Sequence, residues 1–383
     1  MANTRLIIET SPILGRMSGI GHNTLELIKH LHSSSEVEVI LAVPFDRVKE
    51  LKKLVPPHSK IKKIPIPIVV YNLLGKLNLL PPLDLFLGRG VYLFPNYRNT
   101  KLLFSKSFTY VYDASFIIFP EFVSPKNKKY LSNNIDSWIR HADRILTISK
   151  SAKIDISKYL KVPEAKISII PCGVDTSVFF PQSEKEVARA RKKYGIKGNY
   201  VLYVGNIEPR KNLVRLIKAY RKVYDKHSDL SLVLVGGDGW ENGDIIQAIN
   251  ESIEEGYPII RPSEYVPDKD LPALYTGAMM LAHPARYEGF GISPLQAMAC
   301  ATPVIVANNS SMPEVVLDTG LYVNASSVDD IENKILAYYE NENLRKVNIQ
   351  KGFERVKQYS WDKSASKLLE LTLDEPSKTA NQL

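Results

Sequence analysis

Cysteine is scarce in this 383-residue chain: there are two, Cys172 and Cys300, each in apolar surroundings and outside any metal or redox spacing. They read as small buried residues of a reducing compartment, and a structural pair between them is not expected. No uninterrupted apolar run reaches the ~20 residues that a bilayer-spanning helix needs. The N-terminus enters an apolar stretch at residues 5–8 without a basic leader or a small-residue cleavage site, so the expectation is a cytoplasmic protein. Short solenoid repeats and low-complexity tracts are also missing. What is present is a globular composition, 44% hydrophobic and 24% charged, in a length that suits two domains. A net charge of +9 favours an anionic partner and leaves nucleic acid, lipid head groups and sugar nucleotides open.

Strand, loop and helix alternate through both halves. Residues 5–10 form an apolar run closing on Glu9 and Thr10, and Leu25, Leu27, Ile28 and Leu31 mark a helix over 22–32. Gly19 and Gly21 stand in the loop before it. As a dinucleotide fingerprint the loop fails, because Thr24 occupies the third glycine position, and on its residues alone it is equally a tight turn. After a strand at 37–43, residues 46–55 are amphipathic with Lys49, Lys52 and Lys53; Lys60, Lys62 and Lys63 follow, then a proline-broken apolar segment over 64–87. This interleaving suits a solvated helix followed by core elements, or a surface resting on anionic lipid. Further strands are expected at 91–95, 108–112, 142–148 and 167–170, with Ser149 capping a helix. The chain starts afresh after Gly173, with strands at 200–204, 230–235, 279–282 and 304–306. The last helices run to about Leu373, and the polar residues after Asp374 are expected to fray.

Two stretches carry chemistry. In the first, Glu288 lies on a loop with Gly289, Phe290 and Gly291 that runs into a helix start spelled by Ser293 as N-cap, Pro294 at the first helical position and Gln296 closing a capping box. Glycines at the positive end of a helix let backbone N–H groups approach an anion, and a phosphate fits there. A capped core helix behind a tight turn accounts for Ser293, Pro294 and Gln296 as well, but not for the acid. In the second stretch, Arg210 and Lys211 stand beside another helix start, where a positive pair opposes the helix dipole unless an anion sits between them.

The first stretch resembles the Glu-loop-helix signature of family 4 retaining glycosyltransferases, E-G-F-G-x-x-x-x-E followed by an apolar helix and T-P-V. Glu288 to Gly291, Ala297 to Ala299 and Thr302 to Val304 match, whereas Gln296 stands at the second glutamate. Tyr112-Asp113 stands where the family commonly has His-Asp. The resemblance implies an α/β, GT-B architecture: two doubly wound Rossmann-like domains facing across a cleft, with C-terminal helices packing back toward the first. It places an acceptor-binding domain at 1–172, a nucleotide-sugar-binding domain at 173–358 and a C-terminal helix and tail at 359–383.

The same resemblance implies transfer of a hexose, glucose or mannose in type, from a nucleoside-diphosphate sugar to a glycan or lipid-linked glycan, with retention of configuration, in polysaccharide biosynthesis. UDP-glucose stands slightly ahead of GDP-mannose. Arg210 and Lys211 would neutralise the leaving diphosphate, and Glu288 would grip the sugar hydroxyls. Gly289, Phe290, Gly291 and Ile292 would give backbone contacts, Gln296 the ribose contact, and Asn206 and Val266 further donor contacts. Gly19 and Gly21 would lie under the diphosphate, with Tyr112 and Asp113 toward the donor sugar. A tyrosine hydrogen-bonds a sugar but, with a reference pKa of ~10, is no base near neutral pH. No cofactor and no metal are expected, since no Asp-x-Asp pair lies near a strand end in the manner of metal-dependent sugar transferases and Asp329 with Asp330 reads as a helix start. Peripheral contact with an anionic membrane remains open; a nucleic-acid partner rests on charge alone and is not expected. The departures at Gln296 and Tyr112 keep a catalytically weakened sugar-nucleotide-binding scaffold in view, and a GT-B epimerase is the other alternative.

Overall fold

A computed structural model of the chain describes residues 4–15 and 17–374. The expected frayed tail lies outside the described residues. Two compact units emerge, one of Met1–Pro120, Pro125–Gly173 and Trp361–Leu383, the other of Glu121–Ser124 and Val174–Ser360. Each is built on an all-parallel sheet, so each strand must be followed by a crossover, and helices cover the faces.

The first unit holds β1 (Thr4–Glu9), β2 (Val37–Pro44), β3 (Lys60–Ile64), β4 (Val91–Phe94), β5 (Lys106–Tyr110), β6 (Arg144–Thr147) and β7 (Ile167–Ile169), in the order β3-β2-β1-β4-β5-β6-β7. The order reverses between β1 and β4, which makes a topological switch point there. Strands covered on both faces read as continuous apolar runs, as in Val-Ile-Leu-Ala-Val over residues 39–43 of β2. The edge strand β3 differs: its sequence Lys-Ile-Lys-Lys-Ile charges the exposed edge and blunts pairing with another chain. The last helix, Trp361–Asp374, packs on the helix Gly19–His30 and on β1. Ser364 Oγ donates to the Pro171 carbonyl at 2.6 Å and fixes its start.

The second unit holds β8 (Asn199–Val204), β9 (Leu230–Val235), β10 (Ile259–Ile260), β11 (Met280–His283), β12 (Val304–Ala307) and β13 (Leu321–Val323), in the order β10-β9-β8-β11-β12-β13. Its switch point lies between β8 and β11. The core stripe Leu213, Leu216, Ile217 and Tyr220 is fully buried against β8 and β9. Ser327 caps the helix Val328–Glu340, whose first turn contains Asp329 and Asp330.

Local expectations change at four places. The helix Gly19–His30 already contains both glycines in its first turn, capped by Ser18. Strand β5 stops at Tyr110, so Tyr112 lies beyond it. The apolar segment after β3 folds into the helices Ile68–Lys76 and Asp84–Leu87, whose inner faces cover a first-unit core. The capping box does not form: the helix Ile292–Ala299 begins at Ile292 with Gly291 as N-cap at φ +95° and no side-chain cap bond. Both cysteines are buried and free. No helix among the described residues is long and apolar enough to cross a membrane.

Candidate active site

At the switch point of the second sheet, the loops after β8 and β11 meet. Gly205 and Gly236, at φ +152° and +153°, press the loops after β8 and β9 together; a Cβ on Gly236 would lie 1.9 Å from the Gly205 carbonyl oxygen. The β8 loop then turns through Pro209–Lys211 into Asn212 at φ +63°. Asn212 Nδ2 donates to the carbonyls of Pro284 at 2.9 Å and Ala325 at 2.7 Å, tying this loop to those after β11 and β13. The backbone is therefore held before any side chain is placed.

Into this frame the chain sets a buried ion cluster. Lys211 Nζ donates to Glu288 Oε1, His283 Nε2 bonds the same oxygen at 2.8 Å, and Arg210 reaches Oε2 at 3.1 Å. Arg210 also donates to the Tyr287 carbonyl at 2.8 Å and to Glu208 at 2.8 Å. On the far side, the Glu288 amide donates to Ser310 Oγ at 3.0 Å, and Ser311 Oγ donates to the carbonyls of Glu288 and Phe290. Burial alone would raise the Glu288 pKa, but Lys211, Arg210 and the His283 hydrogen bond hold it well below the usual carboxylate range. Lys211 moves down, through burial first and then the Arg210 charge. His283, stacked on Tyr203 at 5.8 Å between ring centres, is also pushed down by burial. A neutral His283 then donates from Nε2 and leaves its buried Nδ1 without a partner.

Arg210 and Lys211 do have an anion between them, and the chain itself supplies it from Glu288, 77 residues on. A carboxylate held by three donors and depressed in pKa is a weak base and a weak nucleophile. What the arrangement does well is fix two cations beside a glycine loop without conformational freedom. Gly291 is required there: a Cβ would lie 2.1 Å from Met312 Cε, on a backbone at φ +95°. Phe290 turns its ring inward, edge-on to Tyr359 at 5.6 Å. Ile292 is the first helical residue, and Gln296, free of any capping box, accepts from the Tyr275 hydroxyl at 3.2 Å. The Asn206 carbonyl accepts from Tyr203, and Val266 is buried.

The remaining candidates lie in the first unit. Tyr112 is buried; its hydroxyl donates to the Pro95 carbonyl at 3.1 Å and accepts from Asn23 Nδ2 at 3.1 Å. Burial keeps it a neutral phenol, with its pKa pushed up. Asp113 accepts from the amide and hydroxyl of Ser115. Gly21 is demanded by packing, since a Cβ would meet the Pro12 carbonyl at 2.5 Å, while Gly19 faces open space. Sequence reasoning missed His283, Glu208, Ser310 and Ser311. A histidine ending β11 five residues before Glu288 was the available signal.

Similarity to known proteins gives the family. The profile described as Glycosyltransferase Family 4 matches residues 17–178, and the one described as Glycosyl transferases group 1 matches 186–355. The O-antigen chain mannosyltransferase B of Escherichia coli is 30% identical over 378 residues, covering 94% of this chain and 96% of that protein. The chain belongs to the family 4 glycosyltransferases. This glycosyltransferase is also 28% identical to the O-antigen chain mannosyltransferase RfbU of Salmonella typhimurium over 236 residues, 57% of this chain and 62% of that one. Among solved structures, the sucrose-phosphate synthase of Thermosynechococcus elongatus matches at a TM-score of 0.72 with 18% identity, covering 96% of this chain and 98% of that one. Anabaena Alr3699/HepE, solved with UDP and glucose, matches at 0.71 with 15% identity over 96% and 98%. These likenesses give the GT-B fold that the family implies.

Proposed function

We propose that this glycosyltransferase moves mannose from GDP-mannose to a growing glycan, free or lipid-linked, in O-antigen-type polysaccharide assembly, with retention and without a metal. The observation that carries the sugar is the near-full-length likeness to an O-antigen mannosyltransferase. It moves the donor preference from UDP-glucose to GDP-mannose. The cation pair supports the reaction type. Breaking the bond between the anomeric carbon and the diphosphate oxygen leaves extra negative charge on the diphosphate, and the role we assign to Arg210 and Lys211, held side by side on Glu288, is to receive it. Each charge-assisted hydrogen bond to a phosphate oxygen contributes roughly 1.5 to 3 kcal/mol. Glu288 orients the pair and, with the one acceptor position left on Oε2, accepts from a donor sugar hydroxyl. As the family resemblance implies, the departing phosphate takes the acceptor's proton on the same face.

The test is transfer of labelled sugar from GDP-mannose and from UDP-glucose to lipid-linked glycan acceptors, in EDTA, with the product anomer read by NMR. GDP-mannose as the only donor used, with the donor's anomeric configuration kept, supports the reading. Transfer from UDP-glucose alone, or inversion, would overturn it.

A further inference from the structure

In the first unit, the helices Ile68–Lys76 and Asp84–Leu87 each have an inner and an outer face. Their inner faces are committed: Ile68, Tyr71, Leu83 and Leu87 share a core with Ile7, Ile40 and Ile64 of β1, β2 and β3. Gly75 and Tyr71 receive the Arg98 guanidinium, which sits 5.2 Å from the Tyr71 ring centre and would touch a Cβ on Gly75 at 2.4 Å. Asn78, just past the helix, is held by Trp138 Nε1 at 3.0 Å and Asn134. The longer helix is thus fixed in place, and its outer face cannot be rotated inward.

That outer face is apolar. Val69, Leu73 and Leu77 fall on one side at helical spacing with 74%, 56% and 57% exposure, Leu79 follows at 64%, and Leu85 and Phe86 of the second helix stand at 55% and 48%. Single exposed apolar residues are ordinary, but three at helical spacing on one fixed helix are not. The rim is basic. Lys62 lies on the same side of β3 as the core residue Ile64, by the two-residue period of a strand, and donates to the Leu87 carbonyl at the end of the second helix at 2.6 Å. Lys76 is exposed on the first helix. No acid occurs over residues 60–83, and Asp84 is turned inward to the amides of Leu103 and Phe104.

We infer that the outer faces of these two helices form a lipid-docking surface, with their apolar side chains entering an anionic bilayer and Lys62 and Lys76 meeting its head groups. A second copy of the chain would set like charge against like charge across a two-fold axis, whereas anionic lipid complements both the apolar face and its rim. Arg98 connects this surface to the carboxyl end of the first sheet, because the same guanidinium also reaches Ser11 Oγ at 3.3 Å beside the buried Glu9 that ends β1. The docking stands apart from the transfer reaction.

The test is flotation of the full chain with vesicles of phosphatidylcholine alone and of phosphatidylcholine with phosphatidylglycerol, without nucleotide or acceptor. The wild type is expected to float with the anionic vesicles and to release as salt rises. The double substitution Leu73→Ser with Leu77→Ser should weaken partition at least about tenfold while leaving the melting temperature unchanged, and Lys62→Glu with Lys76→Glu should remove the preference for phosphatidylglycerol. Wild type that stays unbound, or variants that float like it, would overturn the inference. So would sedimentation showing a wild-type dimer that Leu73→Ser with Leu77→Ser converts to monomer. Because neither donor nor acceptor is present, none of these failures bears on sugar transfer.

Discussion

Replacing Glu288 by Gln keeps its shape and removes the one negative charge that both Lys211 and Arg210 contact. Glu288 is buried, and Lys211 beside it is equally enclosed, so water does not take over. Removing one partner of a buried pair costs about 3–5 kcal/mol, because the other charge is left uncompensated. For a unit of this size each kcal/mol moves the melting temperature by about 2–4 °C, so Glu288→Gln should lower it by roughly 6–20 °C at neutral pH. The pH dependence has a definite sign. The folded pKa of Glu288 lies well below its ordinary value of 4.5, so its stabilisation is complete above that value and is lost as pH falls through the folded one. The gap between variant and wild type should hold down to about pH 5 and narrow below it. Adding Lys211→Met should cost less than the two single changes together, since the second removes the charge that the first stranded. Calorimetric melts of the four proteins across pH measure all of this. A Glu288→Gln melt within about 2 °C of wild type at neutral pH, less than 1 kcal/mol, would refute the reasoning.

Gly291→Ala should destabilise by at least about 1–3 kcal/mol from backbone strain alone, with urea unfolding recovering part of the loss when Met312→Ala removes the atom in the way. His283→Phe keeps the ring against Tyr203 but deletes the donor to Glu288, and should cost about 1.5–3 kcal/mol in the same assay. Tyr112→Phe loses the hydroxyl between Pro95 and Asn23, for about 0.5–1.5 kcal/mol of stability; transfer kinetics should show a smaller loss than Lys211→Ala does. Lys211→Ala should lower kcat/KM at least about a hundredfold and, unlike a surface substitution, also lower the melting temperature, because Glu288 then keeps one cation fewer.

The doubly wound plan was legible because its crossover units repeat strand, glycine turn and helix, and because doubly covered strands such as Val-Ile-Val-Ala at β12 are apolar throughout. What escaped was short or disguised. Strand β10 has two residues and β13 three, too few to show a period. Strand β3 hides behind its edge lysines, and the helix Pro125–His141 buries only Ile135 and Trp138. At the site, the family signature brought Glu288, Arg210 and Lys211 forward together, but not the contact between them, which bridges 77 residues. The capping box failed because Gly291, the one residue able to hold φ +95° under Met312, starts the helix ahead of Ser293. Gln296 was thereby left for Tyr275. His283 went unassigned because a strand-end histidine has meaning only once its partner is known.

We propose that the Arg210 and Lys211 pair receives the diphosphate of a guanosine donor. Titration calorimetry of GDP, UDP, ADP and dTDP in EDTA, on the wild type and on Arg210→Gln, tests it most directly, since Arg210 is the partly exposed member of the cluster. GDP is expected to bind with the highest affinity, and Arg210→Gln to weaken it at least about tenfold, one charge-assisted hydrogen bond's worth. Equal binding by variant and wild type, or no binding by any of the four nucleotides, would contradict it.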